Sequence, residues 1–308
     1  MPKTEKRPAP DPRRFTPDGD ARGYIQPAVL EELWFHTGTN CNLSCPFCLE
    51  GSRPGDNRIQ FLLPDDVRPF LTEALTLGVK KFSFTGGEPF VNPQFVEILG
   101  MALDHRPALV LTNATEPLNN RFGQLVELLD KPHPVSFRVS LDHPEPVKHD
   151  ASRGKGNFAL ALKTLGRLHE AGFGVSLARL MEKGEDTAAV NAAYAPHFAA
   201  AGLRADLLMV TFPEYHLPGS LPNVPHITTS CMTTYLSSGQ RASFMCNNSK
   251  MIVKKDGRAG VYACTLVDDD GDFDLGDTLT EAMERRVHLK HHRCYSCFAY
   301  GASCSEGV

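Results

Sequence analysis

The chain has 308 residues, of which 42% are hydrophobic and 22% are charged, and its formal net charge is −4. These proportions are ordinary for a globular protein, and the slightly acidic balance argues against a general nucleic-acid-binding surface. No apolar run approaches the ~20 residues that span a bilayer, and the N-terminal region lacks the apolar core of a secretory signal. We therefore expect a cytoplasmic protein that binds neither membranes nor nucleic acid, with one large domain and a smaller appendage.

The predicted elements begin after an N-terminal extension, residues 1–30, in which prolines alternate with scattered charges. That composition predicts a partly disordered segment. Residues 31–215 then alternate short apolar runs with stretches of helical periodicity. The predicted strands are 33–37, 80–84, 108–112, 135–141, 174–180 and 203–211. The predicted helices between them are 64–77, 93–103, 118–129, 158–171 and 187–200.

Regular alternation of strands and helices predicts an α/β fold with a parallel sheet. The sheet is either an open, doubly wound one or a partly closed (β/α) barrel. In both, active residues collect at the C-terminal ends of the strands. In this chain those ends carry the cysteine loop that follows the first strand, the segment 85–89, Thr112-Asn113, Ser140-Leu141-Asp142 and Arg179.

Three cysteines follow the first strand with the spacing C-x3-C-x2-C, at Cys41, Cys45 and Cys48. Three thiolates are one fewer than the four that close a ferredoxin-type cluster, so one iron would keep an open position for a small molecule. A zinc site completed by His36 is an alternative. A disulfide framework is disfavoured, because the nine cysteines are an odd number and no secretory signal is present.

A second motif, Thr-Gly-Gly-Glu-Pro at residues 85–89, follows the second strand. Glycines here let the backbone approach a ligand closely, and a plain strand-to-helix turn is the alternative. In this order, the cysteine loop and this motif resemble the radical S-adenosylmethionine (SAM) superfamily over residues 31–308. The resemblance implies a partial (β/α)6 TIM barrel and a [4Fe-4S] cluster on the three cysteines, with SAM at its open iron. It also implies that reductive cleavage of SAM gives a 5′-deoxyadenosyl radical, which abstracts hydrogen from a substrate.

Several contacts to SAM are implied by the same resemblance. In the family, the segment that corresponds to 85–89 contacts the amino group of the methionine portion of SAM. An aromatic at Phe47 would pack on the adenine or cover the cluster. Ser140 would contact the ribose or the carboxylate, and Arg153 would pair with the carboxylate, because a guanidinium suits bidentate contact.

The implied SAM-binding set is Phe47, Gly86, Gly87, Glu88, Pro89, Asn113, Ser140, Arg153 and Arg179. Arg179 is assigned to SAM or to substrate. Asn113 is followed by Ala114, where the family usually has glycine. For the last four members of the set, a hydrogen-bonded cap or loop role is the alternative.

A cysteine-rich module is predicted over residues 216–308, after a proline-rich linker. Two short strands around Asp256-Gly257 predict a β-hairpin, and residues 279–289 are helix-like. The arrangement resembles the Twitch module, the shortened form of the SPASM domain, which implies one auxiliary [4Fe-4S] cluster. A zinc ribbon is an alternative, as is an auxiliary cluster with an open iron for which Cys304 competes as a ligand. The implied ligands are Cys246, Cys264, Cys294 and Cys297.

Cys231 and Cys304 are then left as free buried thiols or as hydrogen-atom donors to a substrate radical. The combined prediction is a radical SAM oxidoreductase that oxidises a small polar metabolite, with a flavodoxin- or ferredoxin-type reductant. A metabolite is favoured because about 30 residues before the barrel are too few for an independent leader-binding domain. The alternatives are a ribosomal-peptide maturase and a non-catalytic iron–sulfur or zinc protein.

Overall fold

The computed structural model describes residues 11–182, 184–212, 220–264 and 266–301. The strands are β1 (Tyr24–Ile25), β2 (Glu32–His36), β3 (Lys81–Thr85), β4 (Ala108–Thr112), β5 (Val135–Ser140), β6 (Gly174–Leu180), β7 (Met209–Phe212), β8 (Ser249–Lys255), β9 (Arg258–Tyr262) and β10 (Val287–His288). The α-helices are α1 (Pro64–Thr76), α2 (Phe95–Leu103), α3 (Glu116–Asn119), α4 (Phe122–Glu127), α5 (Pro146–Arg153), α6 (Asn157–Glu170), α7 (Thr187–Ala192), α8 (Ala195–Ala200), α9 (Thr229–Thr234), α10 (Ser238–Ala242), α11 (Met245–Asn248), α12 (Leu279–Glu284) and α13 (His292–Tyr300). Short 3₁₀ turns lie at Pro89–Val91, Leu128–Asp130 and Gly271–Phe273.

The main sheet has the strand order β7-β6-β5-β4-β3-β2-β8-β9, and β2 to β7 are all parallel. Strands that are consecutive in the sequence are therefore neighbours in the sheet. Right-handed crossovers in one direction place all the helices on one face, so the sheet curves round its other face. A doubly wound sheet would reverse its strand order at a switch point. The predicted partial (β/α)6 barrel is thus confirmed.

Two buried layers lie on the two faces of this sheet, because successive side chains of a strand point to opposite faces. Phe82 and Phe84 of β3 belong to the larger core, together with residues of the surrounding helices. Trp34 and Leu109 belong to a second cluster, which also includes Met251 of β8. The second cluster fills the inside of the curved sheet and forms the floor below the C-terminal strand ends.

The helices differ from the prediction where proline interrupts the apolar pattern. The predicted helix 187–200 is divided into α7 and α8, because Pro196 lacks an N–H donor and fits only the first turn of a new helix. Helix α5 was not predicted, and the predicted helix-like stretch 279–289 ends at Glu284 and continues into β10. No helix in the part of the chain that the structure describes combines the length and the apolar character that a membrane crossing requires.

The predicted hairpin of the C-terminal module is present and continues the barrel sheet. Strand β8 pairs in parallel with β2, and β9 pairs antiparallel with β8. Asp256 and Gly257 have φ angles of 49° and 79°, the left-handed backbone that a two-residue type I′ hairpin turn requires. The module therefore shares a continuous sheet with the barrel at its first strand.

The N-terminal segment is more ordered than its composition predicts. Strand β1 pairs antiparallel with β10, and Ile25 and Leu30 are buried in the main core. The side chain of Arg22 is also buried, and its Nε donates to the carbonyl oxygens of Pro12 and Phe15 at 3.0 Å. Residues 11–30 are thus held against the C-terminal module, because a few apolar side chains find partners there. Residues 1–10 lie outside the described residues.

Candidate active site

A cavity opens at the C-terminal ends of the parallel strands, where the sequence predicts the active residues. It encloses about 1100 Å³ of empty space, including its open mouth. Leu266 of the C-terminal module also lines it, so the cavity lies where the barrel meets that module. The predicted residues that line it are Cys41, Cys45, Phe47, Cys48, Gly86, Gly87, Asn113, Ser140, Arg153 and Arg179.

The three cysteines of the loop after β2 share one wall of this cavity, and all three are free thiols. Burial raises the pKa of Cys41 to about 12, and the negative charges of Glu88, Cys45 and Cys48 add to this effect. Burial also raises the pKa of Cys45. Thiols in such surroundings ionise when a metal supplies positive charge. Three soft ligands beside open space fit a cluster with one open iron.

Amide groups approach the sulfur of Cys41 and link the loop to β4. The backbone N–H of Leu43 donates to Cys41 Sγ at 3.4 Å, and Nδ2 of Asn113 lies 3.9 Å from the same atom. Asn113 Nδ2 also donates to Asn42 Oδ1 at 3.0 Å. Hydrogen bonds to cysteine sulfur influence the reduction potential of an iron–sulfur cluster. Asn113 therefore lies beside the thiols of the cysteine loop. The next residue, Ala114, has a left-handed φ of 56°, a conformation that suits the glycine usually found at this position in the family.

The two glycines of the 85–89 motif let β3 pack directly on the start of the cysteine loop. Gly87 N donates to Gly38 O at 2.8 Å, and Gly86 has a φ of 151°. A Cβ atom on Gly86 would lie 2.7 Å from Gly38 O, and one on Gly87 would lie 2.5 Å from Asn40 O. The close approach predicted for these glycines is thus made to the cysteine loop, while their backbone lines the cavity.

We expect Gly87→Ala to lower the free energy of unfolding by about 3 kcal/mol, because the added methyl group displaces the backbone at Asn40. Gly123→Ala in α4 is the matched control, since a Cβ there meets nothing within 4 Å and alanine favours the helix. Denaturant unfolding of the two variants measures the difference. Equal stabilities would contradict the close packing of the two loops.

Glu88 joins the ends of β3 and β4 and does not line the cavity. Its carboxylate accepts hydrogen bonds from Asn113 N at 2.8 Å, Thr112 Oγ1 at 2.9 Å and Phe90 N at 3.3 Å. The side chain thus holds two strand ends in place, and the sequence motif did not indicate this role. Burial raises its pKa to about 7, although these hydrogen bonds oppose the shift. Pro89, which begins the following 3₁₀ turn, is also buried behind the cavity wall.

The raised pKa of Glu88 predicts a pH-dependent stability. Between its ordinary value of 4.5 and about 7, the folded protein binds more protons than the unfolded chain, so the free energy of unfolding falls as pH rises. A shift of this size limits the loss to about 3 kcal/mol. The glutamine of the Glu88→Gln variant does not titrate. The free energy of unfolding of this variant should therefore lack the decrease that Glu88 causes between about pH 5 and about pH 8. Parallel pH profiles for the two proteins would refute the assignment.

Arg153 lies beside the cysteine loop and pairs with Asp142. Its Nε and Nη2 both donate to the Asp142 carboxylate, and its guanidinium carbon lies 5.4 Å from the centre of the Phe47 ring. Burial disfavours its charge, but Asp142, Cys45 and Cys48 outweigh this and raise the pKa of Arg153. The sequence placed Asp142 at a strand end without giving it a role. Arg153 thus remains a cation between the cysteine loop and the cavity.

Arg179 lines the cavity and is paired with the carboxylate of Glu185, so its role in binding SAM or substrate stays a prediction. Its guanidinium donates to both carboxylate oxygens of Glu185, at 3.0 and 2.6 Å, and to Asn191 Oδ1 at 2.9 Å. These bonds lower the pKa of Glu185 to about 2. Ser140 ends β5 at the cavity, as predicted.

A second group of polar side chains was missed by sequence reasoning. His36 accepts from Gly38 N through Nδ1 at 3.3 Å, so Nε2 donates to Glu50 Oε2 at 3.2 Å. Burial and the nearby Glu50 charge raise the pKa of Asp268, in the C-terminal module, to about 6. His36 is therefore engaged with a carboxylate of the cavity wall. No local sequence pattern relates these residues.

The four cysteines assigned to the auxiliary cluster come together in the C-terminal module. Burial raises the pKa of Cys294 well above its usual value, and the charges of Cys264, Cys297 and Cys246 add to it. Among the described residues, no three Cys, His, Asp or Glu side chains converge closely enough to hold a single metal ion. Lys250 is fully buried, and its Nζ donates to two backbone carbonyls at 2.9 Å. Burial lowers its pKa to about 8, so a buried cation borders the thiols.

Arg293 connects the two cysteine sites. It is 1% exposed, and its guanidinium donates to the carbonyl oxygens of Leu49 at 2.7 Å and Leu266 at 3.0 Å. Leu49 follows Cys48 of the loop, and Arg293 precedes Cys294. One buried side chain therefore ties the loop of the first site to the module that carries the second.

The two cysteines predicted as hydrogen-atom donors are not brought to the cavity by the described part of the chain. Cys231 lies in α9, with its Sγ 3.2 Å from Thr228 Oγ1, and it does not line the cavity. Its role as a hydrogen-atom donor or as a free thiol stays a prediction. Cys304 lies outside the described residues.

Solved structures with this fold include two that contain bound peptides. Streptococcus suis SuiB bound to precursor peptide SuiA aligns with a TM-score of 0.60 and 14% identity, over 83% of this chain and 65% of SuiB. The protein anSMEcpe, with bound AdoMet and Cp18Cys peptide, aligns with a TM-score of 0.58 and 17% identity, over 86% and 82% of the two chains. These likenesses establish a common fold.

Curated relatives match a shorter part of the chain. A GTP 3′,8-cyclase of Actinobacillus succinogenes is 29% identical over 136 residues, and mycofactocin maturase MftC of Mycobacterium ulcerans is 30% identical over 136 residues. Each alignment covers 43% of this chain but only 39% and 35% of the relatives' own lengths. The family model of the radical SAM superfamily matches residues 35–191, just over half of the 308 residues. The chain therefore belongs to the radical SAM superfamily.

Proposed function

We propose that this radical SAM enzyme cleaves SAM reductively at a [4Fe-4S] cluster held by Cys41, Cys45 and Cys48, and that the radical abstracts hydrogen from a substrate in the cavity. One observation carries the proposal. The three thiols line the same cavity as the strand-end residues Asn113 and Arg153, with open space beside them. That arrangement suits a cluster whose open iron binds a second molecule.

When bound, the cluster and SAM together supply the electron and the 5′-deoxyadenosyl radical. The chain supplies position and electrostatics. The Leu43 N–H and the Asn113 amide orient the sulfur of Cys41, while Phe47 shields the loop from water. Arg153 would pair with the carboxylate of SAM, and Asp142 holds its guanidinium in a fixed orientation.

The net reaction that we favour is a two-electron oxidation. Such a reaction would remove a hydrogen atom, an electron and a proton from the substrate. Cys246, Cys264, Cys294 and Cys297 would hold an auxiliary [4Fe-4S] cluster able to accept the electron, and solvent or a nearby base would take the proton. The grouping of these thiols and the position of Leu266 in the cavity wall support this assignment. A flavodoxin- or ferredoxin-type protein would supply the first electron, in a reducing compartment such as the cytoplasm.

A peptide is the substrate class that the structural relatives favour. Two proteins of the same fold are solved with bound peptides, SuiB with SuiA and anSMEcpe with Cp18Cys. A small polar metabolite, favoured by the sequence, remains the second candidate, because a GTP 3′,8-cyclase is among the similar proteins. In either case the reacting group enters the cavity at the strand ends.

Anaerobic reconstitution tests the proposal. We expect about eight iron atoms per chain and release of 5′-deoxyadenosine from SAM with dithionite. The electron converts SAM into methionine and the 5′-deoxyadenosyl radical, which leaves as 5′-deoxyadenosine after it takes a hydrogen atom. Zinc in place of iron, or intact SAM after reduction, would refute the enzyme and support a non-catalytic metal protein.

A further inference from the structure

Two buried polar groups of the cavity wall have no hydrogen-bond partner within the described residues. They are the indole Nε1 of Trp34, which is 1% exposed, and the hydroxyl Oγ of Ser52, which is 4% exposed. Both residues line the cavity. A buried donor left unpaired costs free energy, so such a group in a native protein normally serves a ligand or an ordered water.

The charged side chains that line the same cavity are already engaged. Asp142 pairs with Arg153 and Arg179 pairs with Glu185, while Glu50 accepts a hydrogen bond from His36. The unused hydrogen-bonding capacity of Trp34 and Ser52 is uncharged, because an indole is only a donor and a hydroxyl both donates and accepts. A neutral oxygen matches this pair better than a carboxylate or an ammonium group.

Apolar side chains line the same cavity as these two groups. Leu111 is the last but one residue of β4, Phe212 ends β7, and Leu266 belongs to the C-terminal module. Such a wall excludes water and strengthens a hydrogen bond formed inside it. It also favours a ligand group that is carried on a hydrocarbon frame.

We propose that Trp34 Nε1 and Ser52 Oγ bind an uncharged oxygen of the substrate, a carbonyl or a hydroxyl on an apolar frame. A carbonyl oxygen accepts from both groups, and a hydroxyl accepts from Trp34 and donates to Ser52. The proposal rests on the proposed function, since it takes the cavity as the substrate site. It places the substrate against the wall that the barrel and the C-terminal module build together.

The chain offers a direct spectroscopic test, because Trp34 is its single tryptophan. Ultraviolet resonance Raman spectroscopy of the SAM-bound holoenzyme follows this one indole N–H without labels. The probes are N-methylacetamide for a peptide carbonyl and cyclohexanol for a hydroxyl on a hydrocarbon ring. We expect a saturable shift of the indole band towards stronger hydrogen bonding. A shift with either probe identifies the oxygen that is bound, a shift with both supports a general oxygen site, and no saturable shift with either overturns the proposal.

Variants test the pairing of the two groups. Ser52→Ala should weaken the apparent affinity of the effective probe about fivefold, the effect of one lost hydrogen bond. Ser243→Ala, an exposed serine outside the cavity, is the matched control and should leave the affinity unchanged. Equal affinity in Ser52→Ala and wild type would remove Ser52 from the site. Release of 5′-deoxyadenosine is measured on the same wild-type sample, so that failure of the proposed function is distinguished from failure of this site.

Discussion

Replacing Cys45 with alanine is expected to remove the iron of the first cluster and to abolish cleavage of SAM. Cys45 lines the cavity between the other two cysteines of the loop, and a cluster with one protein ligand missing has two exposed irons. Loss of an outer-shell partner alone lowers metal affinity or activity 10–100-fold. Loss of a ligand should therefore reduce 5′-deoxyadenosine release by more than about a hundredfold. Iron analysis and product quantification measure both effects.

Two variants control this experiment. Ser44→Ala changes an exposed residue of the same loop, and Cys231→Ala removes a thiol that lies outside the cavity. Both should bind as much iron as the wild type. A Cys45→Ala protein that keeps its full iron content and still cleaves SAM would refute the assignment of the loop. A Cys231→Ala protein that loses iron would instead make that thiol a ligand.

Replacing Arg293 with glutamine is expected to destabilise the protein and to loosen the link between the two cysteine sites. The change leaves the buried carbonyl oxygens of Leu49 and Leu266 with fewer hydrogen-bond donors. Each unsatisfied acceptor lowers the free energy of unfolding by about 1–3 kcal/mol. We therefore expect the free energy of unfolding to fall by about 2–5 kcal/mol. Chemical denaturation measures the loss, and iron analysis shows whether the auxiliary cluster is lost with it.

Two further variants, Arg293→Lys and Arg68→Gln, serve as controls for the stability loss expected in Arg293→Gln. Lysine keeps the positive charge but lacks the planar fork that reaches two carbonyls at once, so its stability should be intermediate. Arg68 is exposed on α1, and its replacement should change stability by less than about 0.5 kcal/mol. Similar stabilities for Arg293→Gln and Arg68→Gln would show that the buried link contributes nothing.

The cysteine loop, the 85–89 motif and the hairpin turn could be recognised in the sequence, because each of them is a short contiguous segment. The spacing of Cys41, Cys45 and Cys48 defines the number of thiolates that one loop can offer. The alternation of strands and helices predicts where the loop and the 85–89 segment lie, since parallel strands end at one edge. The type I′ turn at Asp256-Gly257 was likewise set by two adjacent residues.

The roles of individual charged residues were harder to predict, because the partner decides the role. Glu88 was assigned to SAM, and the structure shows in addition that its carboxylate holds the ends of β3 and β4 together. Arg179 was assigned to SAM or substrate, and the structure shows in addition that its guanidinium binds Glu185. In both cases the motif placed the residue at the correct strand end, and the side-chain direction came only from the folded chain.

By itself, the sequence determined the superfamily, the parallel barrel and the thiols that can hold iron, since spacing and periodicity are properties of short segments. Only the tertiary structure decided which groups face the cavity and which form hydrogen bonds or ion pairs within its walls. Arg293 and Leu49 are 244 residues apart and meet through one hydrogen bond. Trp34 and Ser52, which have no hydrogen-bond partner among the residues that the structure describes, line the same cavity. Such relations depend on burial and on contacts between distant segments, which no local pattern of residues encodes.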